Sequence, residues 1–440
     1  MKSISTLFLL LLLCMGYNRL LAQTANDSVL ITPDLQQCIQ YALKHQPTSQ
    51  QATIDEKIIE YEIRSKLADW YPQVNLNYNL QHNFQVQTSI IGGNPIKLGV
   101  DNISALQFGL SQQIFNRDVL LAARTQDVVR LQARQNTAAT RIDVAANVSK
   151  AFYDVLATRQ QIEVSQENIV RISRSLQDAT NQYKAGVADK TDYKRAIISL
   201  NNSKAFLKSS QESLKAKEEY LKYLMGYPVT QQLDIVFDSL QMEREIQMDT
   251  LLIPDLKNRI EYKQLETRQR LLEASLKYER WGFLPSVALN GNYNMNFLNE
   301  SLGKLYHTNY PNSFANLTLA FPIFQGGKRI AQIRSAEWEL KRGELDIIDL
   351  GNSVNSQYAQ AIAAYKSNYA NYVSLRENLL LSQEVYDVIQ LQYRSGVKTY
   401  LEVIVAQTDL RTSQLTYYNA LYDLLAAKID LQRSLGLLIY

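Results

Sequence analysis

The chain has 440 residues, with 46 Lys plus Arg against 43 Asp plus Glu and a formal charge of +3. It has no basic cluster of the kind that binds nucleic acid. No segment after the N-terminus reaches 18 continuous apolar residues, which argues against transmembrane helices.

The N-terminus reads as a secretory signal over residues 1–22. Met1 and Lys2 precede the apolar run Leu7 to Leu13, and Leu20-Leu21-Ala22-Gln23 places cleavage after Ala22. Cys14 follows Leu13 rather than a small residue, which argues against lipidation. The mature chain then keeps one cysteine, Cys38, so no internal disulfide staples the fold, and the residue reads as a small buried side chain on a helix. An exported chain with 27 Tyr against 12 Phe and no membrane helix belongs in the periplasm, the outer membrane or the exterior.

A first repeat spans residues 23–226. Its opening helix starts near Pro33-Asp34-Leu35, with Asp34 or Thr32 as N-cap. A strand follows at about 72–87: Val74, Leu76, Tyr78, Leu80, Phe84 and Val86 face one way, and Asn75, Asn77, Asn79, Gln81, Asn83, Gln85 and Gln87 the other. After the turn-rich Ile91-Gly92-Gly93-Asn94-Pro95 comes a second strand at about 103–115. There Leu106, Phe108, Leu110 and Ile114 alternate with Gln107, Ser111 and Gln113. Residues Asn116 to Ala185 contain neither proline nor glycine, and as a helix extend roughly 100 Å. Val148, Val155, Ile162, Ile169, Leu176 and Tyr183 form a seven-residue row on it. The chain turns at Gly186, a residue suited to a helix end. It returns with Tyr193, Leu200, Leu207, Leu214 and Leu221 seven apart.

Residues 227–254 break the pattern and join the halves as a connecting equatorial segment, where the short apolar run Leu233 to Phe237 suggests a small mixed domain. A second repeat spans 255–440, its helix beginning near Pro254-Asp255-Leu256. Gln182-Tyr183-Lys184-Ala185-Gly186-Val187 recurs 210 residues later as Gln392-Tyr393-Arg394-Ser395-Gly396-Val397. Strands at about 285–297 and 314–324 repeat the alternation. Val287, Leu289, Tyr293, Met295 and Phe297 stand against Asn290, Asn292, Asn294 and Asn296, and Leu317, Leu319, Phe321 and Ile323 against Asn316, Thr318 and Ala320. The second hairpin, with its tip near 396, carries Tyr358, Tyr365, Tyr372, Leu379, Tyr386 and Tyr393 outbound. It returns with Val403, Leu410, Tyr417, Leu424 and Leu431 beside a small row, Ala406, Ser413, Ala420, Ala427 and Ser434. A strict 3.5-residue period forces a left-handed supercoil.

The polar strand faces carry amides and almost no charge. A soluble sandwich would turn Lys and Glu to water, and strands of about 10 residues suit a tilted bilayer crossing. Four strands cannot close a barrel, and a sheet edge cannot face lipid, so the chain must oligomerise. Three copies give twelve strands; two give eight, with an interior filled by side chains. The expected fold is therefore an α+β membrane protein, internally duplicated. It is a trimeric 12-stranded β-barrel, four strands per chain, on a long antiparallel α-helical coiled-coil barrel. The competing reading, from the heptads alone, is an exported coiled-coil structural or adhesin protein without a pore.

Several segments together resemble the TolC-like outer-membrane efflux proteins over essentially the mature chain. They are Leu35-Gln36-Gln37-Cys38-Ile39-Gln40-Tyr41-Ala42-Leu43, the strand starts Tyr71-Pro72 and Leu284-Pro285, the strand exits Ile114-Phe115 and Phe321-Pro322-Ile323-Phe324-Gln325-Gly326-Gly327, and the two tips. The resemblance implies a homotrimer set in outer-membrane lipid with its helical part in the periplasm. It implies a passive exit duct of a tripartite efflux or type I export system, served by a periplasmic adaptor (membrane fusion) protein and an inner-membrane pump. It also implies a resting lock at the helical tip, in which Thr191 and Asp192 meet Tyr393 and Lys398, and tip turns at Gly186, Val187, Gly396 and Val397 that contact the adaptor. Glu402 takes a pore-facing acidic position, while Val405 stands where a second acid is common. Without the resemblance, Asp192 reads as a helix N-cap and Glu402 as part of a solvated helix face.

No enzyme is expected. His45, His82 and His307 lack metal-ligand spacing, no nucleophile, P-loop or C-x-x-C motif occurs, and no cofactor is implied.

Overall fold

The computed structural model describes residues 32–186, 189–235 and 239–438. The signal segment with Cys14 lies outside the described residues, as do Val187, Val236 and Phe237. Helix α1 (Leu35–His45) begins where the side chain of Asp34, not Thr32, accepts from the Gln37 amide at 2.8 Å. The Gln37 side chain returns to the Asp34 amide at 3.1 Å, closing a capping box. Cys38 is fully buried, and burial, with Asp34 adding to it, pushes its thiol up to about 12. Helix α2 (Pro47–Ala68) follows with proline in its first turn.

Two long helices organise the chain: α3 (Arg117–Lys184, 68 residues) and α7 (Lys328–Arg394, 67 residues). At about 1.5 Å per residue each runs roughly 100 Å. Gly186 (φ +74) and Gly396 (φ +75) take the left-handed conformation that turns each into a 36-residue return helix, α4 (Lys190–Met225) and α8 (Tyr400–Leu435). The return helices cover the tip halves of the long ones. Helices α2 and α6 (Ile260–Arg280) pack on the halves nearer the sheet. Gly226 ends α4 at φ +66 against the backbone of His45 and Gln46, and Gly436 ends α8 at φ +71 against Asn258.

In the second hairpin the seam follows the expected rows. Val403, Leu410, Tyr417, Leu424 and Leu431 are buried beside Ala406, Ala420, Ala427 and Ser434, and the Ser382 and Ser413 hydroxyls meet at 2.8 Å. The first hairpin departs from expectation. Val148 and Val155 of the large row are buried, but Tyr183 is exposed at the tip end. The continuously buried row on α3 is instead Ala151, Thr158, Ser165, Ile172 and Ala179, and on α4 Ala196, Ser203 and Ser210 are buried. Closely approaching helices place small side chains at the line of contact and push large ones to its flanks.

The sheet is antiparallel in the order β1 (Gln73–His82), β4 (Asn102–Phe115), β5 (Ser286–Asn299), β6 (Asn312–Ala320). None of these strands contains Lys, Arg, Asp or Glu. Two expected boundaries are corrected. Strand β1 stops at His82 rather than near 87. Asn83 turns the chain by donating its amide to Asp101 O (2.7 Å) and its side chain to Val100 O (2.9 Å). Phe84 and Val86 therefore leave the sheet face. Residues 88–97 form a separate hairpin, β2 (Thr88–Ile91) and β3 (Asn94–Lys97), around Gly92 and Gly93 at positive φ. Strand β6 stops at Ala320 rather than near 324, since Pro322 has no amide to continue the ladder.

Register aligns the amides. Asn75, Gly109, Asn292 and Phe314 form one rung, and Asn77, Gln107, Asn294 and Asn312 the next. Asn294 Nδ2 donates to Asn312 Oδ1 at 2.9 Å, and Asn290 Nδ2 to Thr318 Oγ1 at 3.2 Å. The opposite face is apolar and exposed over β1 and β6, with Val74, Leu76, Leu317 and Leu319 among its side chains.

The joining segment contains one short helix, α5 (Ser239–Glu245), and among the described residues no strand. Leu233 and Ile235 are buried. Tyrosine hydroxyls hold the segment to the helices. Tyr153 and Tyr417 donate to Glu245 and Glu243 at 2.6 Å, and Tyr358 and Tyr365 to the carbonyls of Leu252 and Ile246 at 2.7 Å. This accounts for part of the excess of Tyr over Phe.

Candidate gate at the helical tip

The two hairpin tips of one chain pack on each other through Ala179, Ala196, Tyr393, Tyr400 and Val403, with Leu176 and Tyr193 against them. Tyr393 and Tyr400 are buried, their ring centroids 5.8 Å apart. The Tyr393 hydroxyl donates to Gln182 Oε1 at 2.8 Å, so the outbound helices of the two tips are joined within the chain. Burial raises the pKa of Tyr393, and the carboxylates of Asp178 and Asp192 push it the same way. Tyr400 is raised by burial first, then by the neighbouring Tyr393 and the carboxylates of Asp192 and Asp178.

Helix α4 is capped by Asp189, which corrects the N-cap reading of Asp192. Asp189 Oδ1 accepts from the Thr191 amide at 2.7 Å, and this bond holds its carboxyl below the usual range. Asp192 stands one turn in, at the third helical position. The corresponding cap of α8 is Thr399, with Glu402 reaching back to the Thr399 amide at 2.9 Å. Lys398 Nζ donates to Glu402 Oε1 at 2.6 Å. That contact, followed by the Thr399 amide, holds the Glu402 carboxyl below its ordinary value. Glu402 is thus a cap and ion-pair residue rather than a merely solvated carboxylate.

Within one chain, then, Asp192 acts on Tyr393, while Lys398 is paired to its own helix. The Thr399-x-x-Glu402 capping box and the four-residue step from Lys398 to Glu402 are both legible signals of that local pairing. Gly186 and Gly396 make the two turns, and Val397 is exposed beside Gly396. Among the described residues no group of His, Cys, Asp or Glu is placed to hold a metal ion, and no helix is long and apolar enough to cross a membrane.

Comparison with known proteins agrees with this architecture. The chain is 21% identical over 424 residues to the outer membrane protein TolC of Escherichia coli, covering 92% of this chain and 82% of the relative. It is 22% identical over 422 residues to the outer membrane protein OprJ of Pseudomonas aeruginosa, covering 93% and 85%. The crystal structure of the outer membrane protein VceC of Vibrio cholerae superposes with a TM-score of 0.71 at 16% identity, over 91% of this chain and 96% of that one. The fold is that of the TolC-like channels, part helical and part sheet. The chain belongs to the outer membrane efflux protein family, whose profile matches residues 38–227 and 255–437. The family is one of outer-membrane efflux channels, not of enzymes.

Proposed function

We propose that three copies assemble into a 12-stranded outer-membrane barrel on a periplasmic helical tunnel, each copy contributing two repeats of two main strands and one hairpin. The observation that carries this reading is the sheet itself. It has two unpaired edges, β1 and β6, an amide face without charge, and an exposed apolar face. Edges of this kind do not survive in lipid unless paired. Strand β6 of one copy beside β1 of the next continues the antiparallel alternation, so closure needs no change of register type. Long helices with exposed apolar stripes, such as Leu381, Val385 and Val388 on α7, supply matching surfaces for the neighbouring copy.

In this reading the assembly is the passive exit duct of a tripartite efflux or type I export system. An inner-membrane pump supplies the energy, and a periplasmic adaptor engages the tip turns at Gly186, Val187, Gly396 and Val397. Thr191, Asp192, Tyr393, Lys398 and Glu402 form the gate. Exposed ion pairs contribute about 0–1 kcal/mol each, so a lock built from them yields to a docking partner. The test is conductance of the purified protein in planar bilayers, alongside its mass in detergent. A trimer with ohmic conductance is expected; a monomer that conducts nothing overturns the reading.

A further inference from the structure

At the boundary between sheet and helices lies a half-open cavity of about 270 Å³, lined by strand ends and the first turns of α3 and α7. Three cations line it: Arg117, Lys328 and Arg329. The carboxylate on its wall, Asp118, takes the Tyr278 hydroxyl at 2.5 Å. Among the described residues none of the three cations makes an ion pair, although arginines and lysines elsewhere on the helices commonly do.

Arg329 is only 9% exposed. Its Nε donates to Gln325 Oε1 at 3.1 Å, its Nη2 to the Pro322 carbonyl, and its guanidinium lies 4.8 Å from the Phe283 ring centre. Among the described residues its Nη1 has no acceptor. The Arg117 guanidinium rests 4.3 Å from the Tyr278 ring centre. Gly282 admits both arginines: a Cβ there would meet Arg117 Nη1 at 2.9 Å and Arg329 Cδ at 3.5 Å. Like charges brought together with one buried and no carboxylate paired to either are unfavourable. The start of α7 adds to the positive field, because Gly327 gives it no side-chain cap. The wall's carboxylate, Asp118, is engaged by the Tyr278 hydroxyl and pairs with none of the three cations, so positive charge is in excess there, and guanidinium forks fit the oxygens of phosphate.

We propose that this cavity binds a phosphate oxyanion. Two sources share that chemistry, the phosphodiester of a membrane phospholipid and free phosphate. The cavity lies level with exposed apolar side chains at the strand ends, Tyr71, Phe283, Phe321, Ile323 and Phe324, as at the interfacial girdle of a membrane barrel. The lipid source rests on the outer-membrane reading; the free ion does not.

The test uses the full-length purified protein and its Arg117→Gln and Lys328→Gln variants. One arm follows thermal unfolding in detergent with inorganic phosphate or chloride at matched ionic strength. The other takes native mass spectra of protein extracted from phosphatidylglycerol–phosphatidylethanolamine vesicles. Retained phospholipid that both variants weaken by about tenfold assigns the headgroup source. A phosphate-specific rise in melting temperature, lost in the variants and without retained lipid, assigns the free ion. Wild type and variants alike in both arms overturn the proposal. Lys328 is exposed and unpaired, so Lys328→Gln keeps the test open if Arg117→Gln does not fold. Conductance of the same preparations reports separately on the duct.

Discussion

Strand β6 offers a test of which face meets lipid. Leu317 and Asn316 are adjacent near its middle and point to opposite faces, Leu317 opposite Leu289 and Asn316 opposite Asn290. Leu317 is 64% exposed in the single chain, with no protein partner covering it. Lysine on the lipid face of a barrel costs about 2–4 kcal/mol at the bilayer midplane and about 0–1 near the interface. Leu317→Lys should therefore destabilise each copy by about 2–4 kcal/mol, or roughly 6–12 kcal/mol for a trimer. Phe321→Lys, one residue past the strand at the helix end, should cost about 0–1 kcal/mol per copy. Asn316→Lys should leave stability nearly unchanged while adding one positive charge per copy to the lumen, shifting reversal potential toward anion preference. The assays are heat- and urea-induced dissociation of the oligomer in lipid vesicles and reversal potentials under a salt gradient. Equal costs at Leu317 and Phe321, with no change of selectivity at Asn316, would refute the barrel and favour a soluble sandwich, whose core has no depth gradient.

Four further predictions concern the tip and one helix junction. Asp192→Ala combined with Lys398→Ala should raise resting conductance and sensitivity to large antibiotics; no change in either leaves the proposed lock unsupported. Glu402→Lys should alter cation block of the pore. Because Lys398 depresses the Glu402 carboxyl, its contribution to the tip is present above its ordinary value of 4.5 and is lost as pH falls below it through the lower folded value. Tip stability should accordingly be flat from neutrality to about pH 5 and fall below that, measured by conductance noise against pH; a change centred near pH 7 contradicts the assignment. Gly226→Ala should lower the melting temperature. The left-handed conformation costs about 1–2 kcal/mol for a residue with a Cβ, and here the Cβ would also lie 2.6 Å from His45 O. An unchanged melting temperature would mean that this junction is not packed as described.

Period and punctuation made much of the fold legible. Two-residue alternation located four strands, the absence of proline and glycine over Asn116 to Ala185 located a long helix, and Gly186 and Gly396 located its turns and those of its repeat. Events decided by single side chains were not legible. Strand β1 ends where Asn83 binds the Val100 and Asp101 carbonyls, and no periodicity encodes that bond. In the first hairpin the large row, Val148 to Tyr183, is more conspicuous in the sequence than the row from Ala151 to Ala179, which is the more continuously buried. The cationic junction escaped notice because Arg117, Gly282 and Arg329 are distant in sequence and meet only when three segments converge.

The repeat carries one further consequence at the gate. Asp192 and Glu402 occupy the same place in the two copies, each three residues after a helix cap. Their surroundings differ. The residue matching Lys398 in the first copy is Ala188, so Glu402 has a cation four residues before it and Asp192 has none at that place. Among the described residues Asp192 makes no ion pair. For Lys398 to hold Asp192 of another hairpin it must leave Glu402. In the proposed lock this would exchange one exposed pair for another, each worth about 0–1 kcal/mol, and not gain a new pair. In that reading the balance between the two states would lie near zero. An adaptor that touched only the turns at Gly186 and Gly396 could shift it. If the exchange is right, Glu402→Gln, which frees Lys398, should close the resting pore more tightly, whereas Asp192→Asn should open it.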